Sequence, residues 1–503
     1  MSKDPSTDPT PYAVTNEPSR RSFLILSGAV AATAAVGPAT PAVGAPVGGL
    51  GQFSSYPFSL GVASGDPLND SVILWTRLAP QPLVIGSGMP NQPVPVHWQV
   101  ADDEAFTTIV REGETFALPE NNHSVHVDVR GLQPDRWYFY RFRCGSELSP
   151  VGRTRTLPAL GASVASFTVS QMSCQNWQTG YFTAYRYMAQ DGIDLGLHLG
   201  DYIYEGSITA VAPRDGATVP DEIRDPCQSV DQYRLRYSLY KTDPDLQAAH
   251  AAFPWAVIRD DHEVSNDYRG GVDQGPQQLA RRAAGYKAWW ENMPTRCAPP
   301  VGPDQRIYRR FAVGSLAQFD LLDSRQYRTA DNDPLVSKLG NEQEAWLIDG
   351  INSYDTTWHL LAMGQQLGGV ATSSPTRNRI YQAYYDRNVS PVILAGDLHW
   401  TLVSDALLAL PDPTSPIVGT QFIGTSITST GDGPGSQATK DGWLKYPWVK
   451  YADGYRGYLR TVITPTGLYS TQRDVQFVTQ PNAPVWDAQR FYIAAGKPGV
   501  QLV

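Results

Sequence analysis

Apolar positions follow two regimes along this chain. Between residues 53 and 158 they alternate with polar ones in short runs, at 71–75, 94–100 and 125–129, broken by Gly, Pro, Asn and Asp. A period of two with frequent turn residues predicts antiparallel strands burying one face, the pattern of a β-sandwich. From 167 onward the strands become continuous apolar runs, at 167–172, 194–199, 255–259, 319–322, 358–363 and 391–395. Such runs, with helical stretches such as 181–190 and 233–240 between them, predict parallel strands covered on both faces. Their polar residues gather just past the carboxyl ends, where open sheets of this type hold ligands.

Length fits that division, since 503 residues exceed one ordinary domain and the 42% hydrophobic content suffices for buried cores. The expected organisation is a leader and linker over 1–50, a sandwich over 51–158, an α/β domain over 165–485 and a tail over 486–503. Within the first folded part, Gly131-Leu132-Gln133-Pro134 followed by Trp137-Tyr138-Phe139-Tyr140 resembles the late strands of a fibronectin type III or immunoglobulin-like domain. His97, His123 and His126 have no carboxylate or cysteine at ligand spacing and are read as structural or exposed.

Ser19-Arg20-Arg21-Ser22-Phe23-Leu24 and the small-residue apolar stretch behind it read as a twin-arginine export signal. That stretch is about 14 residues, short of the roughly 20 that span a bilayer, so a cleaved leader is expected, with no membrane anchor afterwards. A secreted or periplasmic location and passage through the twin-arginine machinery follow. The 40 basic and 49 acidic residues give a net charge of -9, which argues against stable nucleic-acid binding. An anionic substrate must therefore be drawn by local positive charge, which bound metal ions supply. Of four cysteines, Cys174 ends a strand as a candidate ligand, Cys227 and Cys297 flank one irregular region as the expected disulfide, and Cys144 is left as a buried thiol.

Four clusters each follow an apolar run and carry metal-competent side chains: Ser173-Cys174, Gly200-Asp201-Tyr202-Ile203-Tyr204, Asp260-Asp261-His262-Glu263 and Gly396-Asp397-Leu398-His399. Thiolate, phenolate and imidazole from Cys174, Tyr204 and His399 suit a transition metal, while Asp201, Asp261 and Asp397 also suit a hard ion such as calcium. Asp260 and Asp261 cannot be separated by sequence alone. Ser173 has no identifiable base and is not read as a nucleophile.

With Gly61-Val62-Ala63-Ser64-Gly65-Asp66-Pro67, His198-Leu199-Gly200-Asp201-Tyr202-Ile203-Tyr204-Glu205 and Leu322-Asp323-Ser324-Arg325-Gln326-Tyr327-Arg328, these clusters resemble the PhoD-type alkaline phosphatases and phosphodiesterases among the calcineurin-like metallophosphoesterases. The resemblance covers nearly all of the chain behind the leader. It implies an α/β/β/α sandwich domain, a ferric ion with one or two calcium ions, and hydrolysis of small organic phosphate esters by a metal-activated hydroxide. A phospholipase D acting on phospholipids is the alternative within the same family. Carried over by position, the metal ligands are Cys174, Asp201 as the bridge, Tyr204, Asp261, Asp397 and His399, with Asp260 as a further ligand or a residue behind them. His262 is placed near the leaving group with Glu263 orienting it. Arg325 is read as a planar fork for phosphate oxygens, the plainer alternative being an ion pair with Asp323. Gln365-Gln366 stands where the wider superfamily has a ligand histidine. The run 424–431 reads as a flexible hydroxyl-rich loop or a phosphate cradle, and 286–290 as helix core or a cavity wall.

Overall fold

In the strand Trp358–Met363, Trp358, Leu360 and Ala362 join one apolar core while Leu361 and Met363 join another. Val392 and Leu394 against Ile393 and Ala395 repeat this in Pro391–Ala395. Because successive side chains of a strand point to opposite faces, a sheet with two apolar faces must be covered twice. The outer face of this sheet is covered by the helices Asn341–Ser353 and Pro375–Arg387 through Leu347, Ile351, Ile380 and Tyr384. Its inner face meets Phe167, Val169, Leu195 and Leu197 of a second sheet. The helices Thr183–Met188 and Pro244–Ala252 pack on that second sheet in turn, so the layers run helix, sheet, sheet, helix.

The computed structural model describes residues 53–503 apart from 210–213, 215–216, 330–336 and 354, so the expected leader over 1–50 lies outside the described residues. Among the described residues, Phe167–Met172, Leu195–Leu199 and Trp255–Ile258 pair in parallel in one sheet. Ala317–Leu321, Trp358–Met363, Pro391–Ala395 and Ile417–Ile423 do the same in the other. The side chain of Gln171 spans the two sheets, its Nε2 donating to Ala395 O at 2.8 Å. The carboxyl ends of both parallel sets therefore open on one cleft.

The N-terminal strands are found at the expected places but are not a free-standing sandwich. Val62–Gly65, Ser71–Arg77 and Ser124–Arg130 extend the central sheet, Val62–Gly65 lying parallel to Trp255–Ile258 with Gly65 opposite Trp255. Val94–Ala101, Ile109–Ala117 and Trp137–Cys144 form a separate antiparallel sheet. Alternation reveals a strand but not its partner, and Gly65 shows what selects the partner. A Cβ there would lie 2.1 Å from Pro294 O and 2.6 Å from Trp255 O, so only glycine permits this approach. Within this part, Gln133 N–H donates to Tyr138 Oη at 2.9 Å, tying the turn at 131–135 to the strand Trp137–Cys144. Residues 486–503 are likewise no tail, since Val485–Ala494 and Gln501–Leu502 are strands of the central sheet.

Asp66 welds the N-terminal part to the rest. Its carboxylate accepts from Thr295 Oγ1 at 3.0 Å, from Arg296 N–H at 2.8 Å, and from Arg309 Nε and Nη2 at 3.0 and 2.6 Å. Removing one partner from a buried pair leaves the other charge uncompensated, which costs about 3–5 kcal/mol. Asp66→Ala is expected to lower the unfolding free energy by that amount in chemical denaturation. A change under about 1 kcal/mol, the scale of an exposed pair, would show that solvent already screens Arg309.

All four cysteines are free thiols, so the expected Cys227–Cys297 disulfide is not formed. Sequence spacing carries no information on whether two Cβ atoms lie at bonding distance. Burial pushes the Cys144 and Cys227 thiols up to about 11, the behaviour of inert core cysteines. His97 pairs with Glu114 on the surface at 3.0 Å, while His123 and His126 lie 3.2 and 3.0 Å from the Ala117 and Met293 carbonyls. Tyr286 and Trp289 are helix core, packed on the Arg259 guanidinium at 3.5 and 4.9 Å.

Candidate metal centre

Each predicted cluster begins where a strand stops, and four of its side chains sit on unusual backbone. Cys174, Asp201, Asp397 and His399 have φ of 59°, 53°, 72° and 58°. The left-handed region costs a non-glycine residue roughly 1–2 kcal/mol, so four together mark a site whose surroundings hold it in place. Those surroundings are visible. Cys174 N–H and Gln175 N–H donate to Gly200 O and Asp201 O, both at 3.1 Å, locking the first two loops together. Glu263 accepts from Tyr202 N–H at 2.7 Å and Asp260 N–H at 2.9 Å, joining the second loop to the third.

One ligand atom each from Cys174, Asp201 and His399 lie within 4.8 Å of one another, and the same is true of Asp201, Asp261 and His262. Tyr204 closes the first group, its hydroxyl donating to Asp201 Oδ2 at 3.1 Å and lying 3.0 Å from His399 Nε2. Asp201 belongs to both groups, as a bridging ligand must. Asp261 supplies a further sign: its Oδ1 is buried without a hydrogen-bond partner among the described residues. An orphaned carboxylate oxygen is costly unless something else satisfies it.

Electrostatics point the same way. Burial, then Asp201 and Asp397, holds the Cys174 thiol well above its ordinary range. Burial, then Asp201 and Cys174, does the same to Tyr204, and burial with Asp261 does it to Asp201. Asp397 is raised to about 7 by burial and Asp260. Burial and Arg456 lower His399 to about 4, keeping it neutral and able to donate a lone pair. Four acidic groups in one cavity thus resist ionising beside each other, and a multivalent cation is what reverses that resistance. The donor set fits such ions: thiol, phenol and imidazole in one group, carboxylates in the next.

Other sequence expectations shift. His262 is oriented by Glu205, Oε2 to Nδ1 2.7 Å, not by Glu263, which is spent on backbone. Burial opposes the His262 charge, but Asp201 and Glu205 outweigh it and raise the group to about 10. Arg325 does not pair with Asp323, whose Oδ1 takes the Arg325 and Gln326 N–H groups. Its fork goes instead to Asp260, Nε to Oδ1 2.7 Å and Nη2 to Oδ2 2.9 Å, so Asp260 serves the guanidinium and Asp261 is the ligand candidate. Gln365 Nε2 lies 3.3 Å from Asp397 Oδ2, holding a candidate ligand where a ligand was sought. The run 424–431 is neither flexible nor a cradle. Thr425, Ser426, Thr428 and Ser429 are buried, and Ser429 Oγ lies 2.6 Å from Tyr204 Oη and 2.7 Å from Cys174 O. Glu205 and Ser429 are the contributors that residue patterns missed. Glu205 was visible one position past Tyr204, and Ser429 stood in the hydroxyl-rich run 424–431, whose composition pointed to a loop or a cradle and not to a buried strut.

Two stacked sheets opening on a buried cluster of this composition suit a metal-binding hydrolase, and comparison with known proteins gives the class, a phosphoesterase, and the family. Residues 167–471 match the model of the PhoD-like phosphatase and residues 45–158 that of its N-terminal domain. Alkaline phosphatase D of Bacillus subtilis (strain 168) is 42% identical over 522 residues, covering 96% of this chain and 89% of that protein. A solved structure of PhoD superposes with a TM-score of 0.84 at 41% identity, covering 90% of this chain and 93% of the other. The chain belongs to the PhoD-like phosphatase family and is a phosphatase.

Proposed function

We propose that this phosphatase is exported, depends on metal ions, and hydrolyses both monoesters and diesters of small organic alcohols. The observation that supports metal dependence most directly is Asp201, shared by two ligand groups, beside the orphaned Asp261 Oδ1. Iron fits the group of Cys174, Tyr204, Asp201 and His399, and calcium fits the carboxylate side formed by Asp201, Asp261 and Asp397. Such ions, when bound, supply a nucleophile at neutral pH and neutralise the phosphoryl oxygens. The chain's own residues do the rest. Asp201, Tyr204 and Asp397 set the positions; Glu205 holds His262 by Nδ1, which frees the other ring nitrogen to give a proton to the leaving alcohol. Ser173 is buried and plays no part as nucleophile. Among the described residues no helix is long and apolar enough to cross a membrane; export rests on the Arg20-Arg21 leader.

Protein purified without chelator is expected to contain iron together with calcium, with a visible absorption band from phenolate on ferric iron. It should release nitrophenol from both the monoester and the bis-ester. Zinc alone without colour would remove the iron assignment, and dominant headgroup release from phosphatidylcholine in a parallel assay would replace the substrate class with phospholipid.

A further inference from the structure

A third group of acidic side chains lies beside the two that share Asp201. Asp260, Asp261 and Asp397 each bring one oxygen within 4.8 Å of the others, a spacing that suits a hard cation. A nitrogen already stands among them. Arg325 Nη2 is 2.9 Å from Asp260 Oδ2, 2.9 Å from Asp397 Oδ1 and 3.5 Å from Asp261 Oδ2. Its side chain is 0% exposed and that of Asp260 1%.

Asp260 is closed off on its other sides as well. Ser324 Oγ donates to Oδ1 at 3.1 Å, beside the Arg325 Nε bond of 2.7 Å to the same atom. A Cβ at Gly364 would lie 2.6 Å from that oxygen, and one at Gly200 2.5 Å from the Asp260 Cβ. Two backbone segments therefore lie against this side chain, the one at Gly364 against the carboxylate itself, and three donors already reach its oxygens. A calcium ion needs six to eight oxygen ligands at about 2.3–2.6 Å, and Asp260, with both oxygens turned to the guanidinium, keeps a single lone pair for such a shell.

We infer that Arg325 is the chain's own cation at this third cluster: it excludes a divalent ion from Asp260 and limits the centre to ions held through Asp201. The inference rests on the metal-centre reading above and adds a limit to it. It also divides the guanidinium. Nε and Nη2 are committed to Asp260 and Asp397, and Nη1 lies 3.5 Å from Asp267 Oδ1, on a side chain 74% exposed. The paired grip on phosphate expected from the sequence is therefore already spent on carboxylates.

Elemental analysis of protein equilibrated with calcium and freed of excess ion tests this. Arg325→Gln leaves three carboxylates without their cation, and it is expected to hold about one more divalent ion per chain than the wild type. Adding Asp260→Asn to that variant should remove the gained ion. Equal ion content in wild type and Arg325→Gln, or a gained ion that survives Asp260→Asn, overturns the inference. Should Arg325→Gln fail to fold, Asp260→Asn alone decides. An unchanged ion count supports a carboxylate that serves only Arg325, and a lowered count makes Asp260 a ligand and overturns the proposal. A wild type holding no ion at all refutes the metal centre itself, which separates the two failures.

Discussion

Asp201→Asn is expected to lower turnover of phosphate esters by on the order of 10³-fold, since losing a ligand shared by two ions removes several kcal/mol of transition-state stabilisation. Asparagine tolerates the left-handed backbone that Asp201 adopts at φ 53°, so the loop survives the change. The amide still reaches its neighbours, but it brings no negative charge and cannot bridge. Both ions should be lost or weakened together, read as a fall in iron and calcium content at a thermal midpoint close to that of wild type. Cys174→Ala serves as the contrast. Cys174 belongs to one group only, so iron should fall while calcium remains. Unchanged iron and rate in Cys174→Ala would make Cys174 an ordinary core cysteine, and unchanged metal content in Asp201→Asn would deny the bridge.

The second large effect is expected at His262. A positioned general acid contributes about 10²–10⁴-fold, and its contribution grows with the basicity of the leaving group. His262→Ala should therefore slow hydrolysis of alkyl phosphates far more than that of nitrophenyl phosphate, whose leaving group departs without a proton. Glu205→Gln keeps a hydrogen-bond acceptor for Nδ1 but removes the charge 2.7 Å away, so it should show the same leaving-group pattern at smaller amplitude. Equal losses on both substrates would assign His262 to ion binding within its group with Asp201 and Asp261 instead of to proton delivery.

Much of this centre is legible along the chain because its candidate ligands occupy one repeated local context, the first residues after an apolar strand. Cys174, Asp201, Asp261, Asp397 and His399 all follow such runs, and parallel strands place their carboxyl ends on one side. Asp260 and Asp261 show where that logic stops. Adjacent residues in one loop point in different directions, and which of them meets Arg325 depends on a strand end some sixty positions later. Glu205 takes the role expected of Glu263 for the same reason: the sequence neighbour of His262 turns back to hold Tyr202 N–H, while Glu205, from another loop, reaches the imidazole. Composition misled at 424–431, where hydroxyl side chains that read as a mobile loop are buried as struts beneath Cys174 and Tyr204.

The amino-acid sequence by itself determined the strands, the strand-end positions of the candidate ligands and the donor types they offer. Those follow from the period of apolar positions and from side-chain chemistry, both local properties. Only the tertiary structure decided that the N-terminal strands continue the central sheet through Gly65, that Cys227 and Cys297 stay apart, and that Arg325 is claimed by Asp260. Each of those is a choice among partners distant in sequence. Such choices are made by close approach, burial and charge compensation, which exist only once the chain has closed on itself.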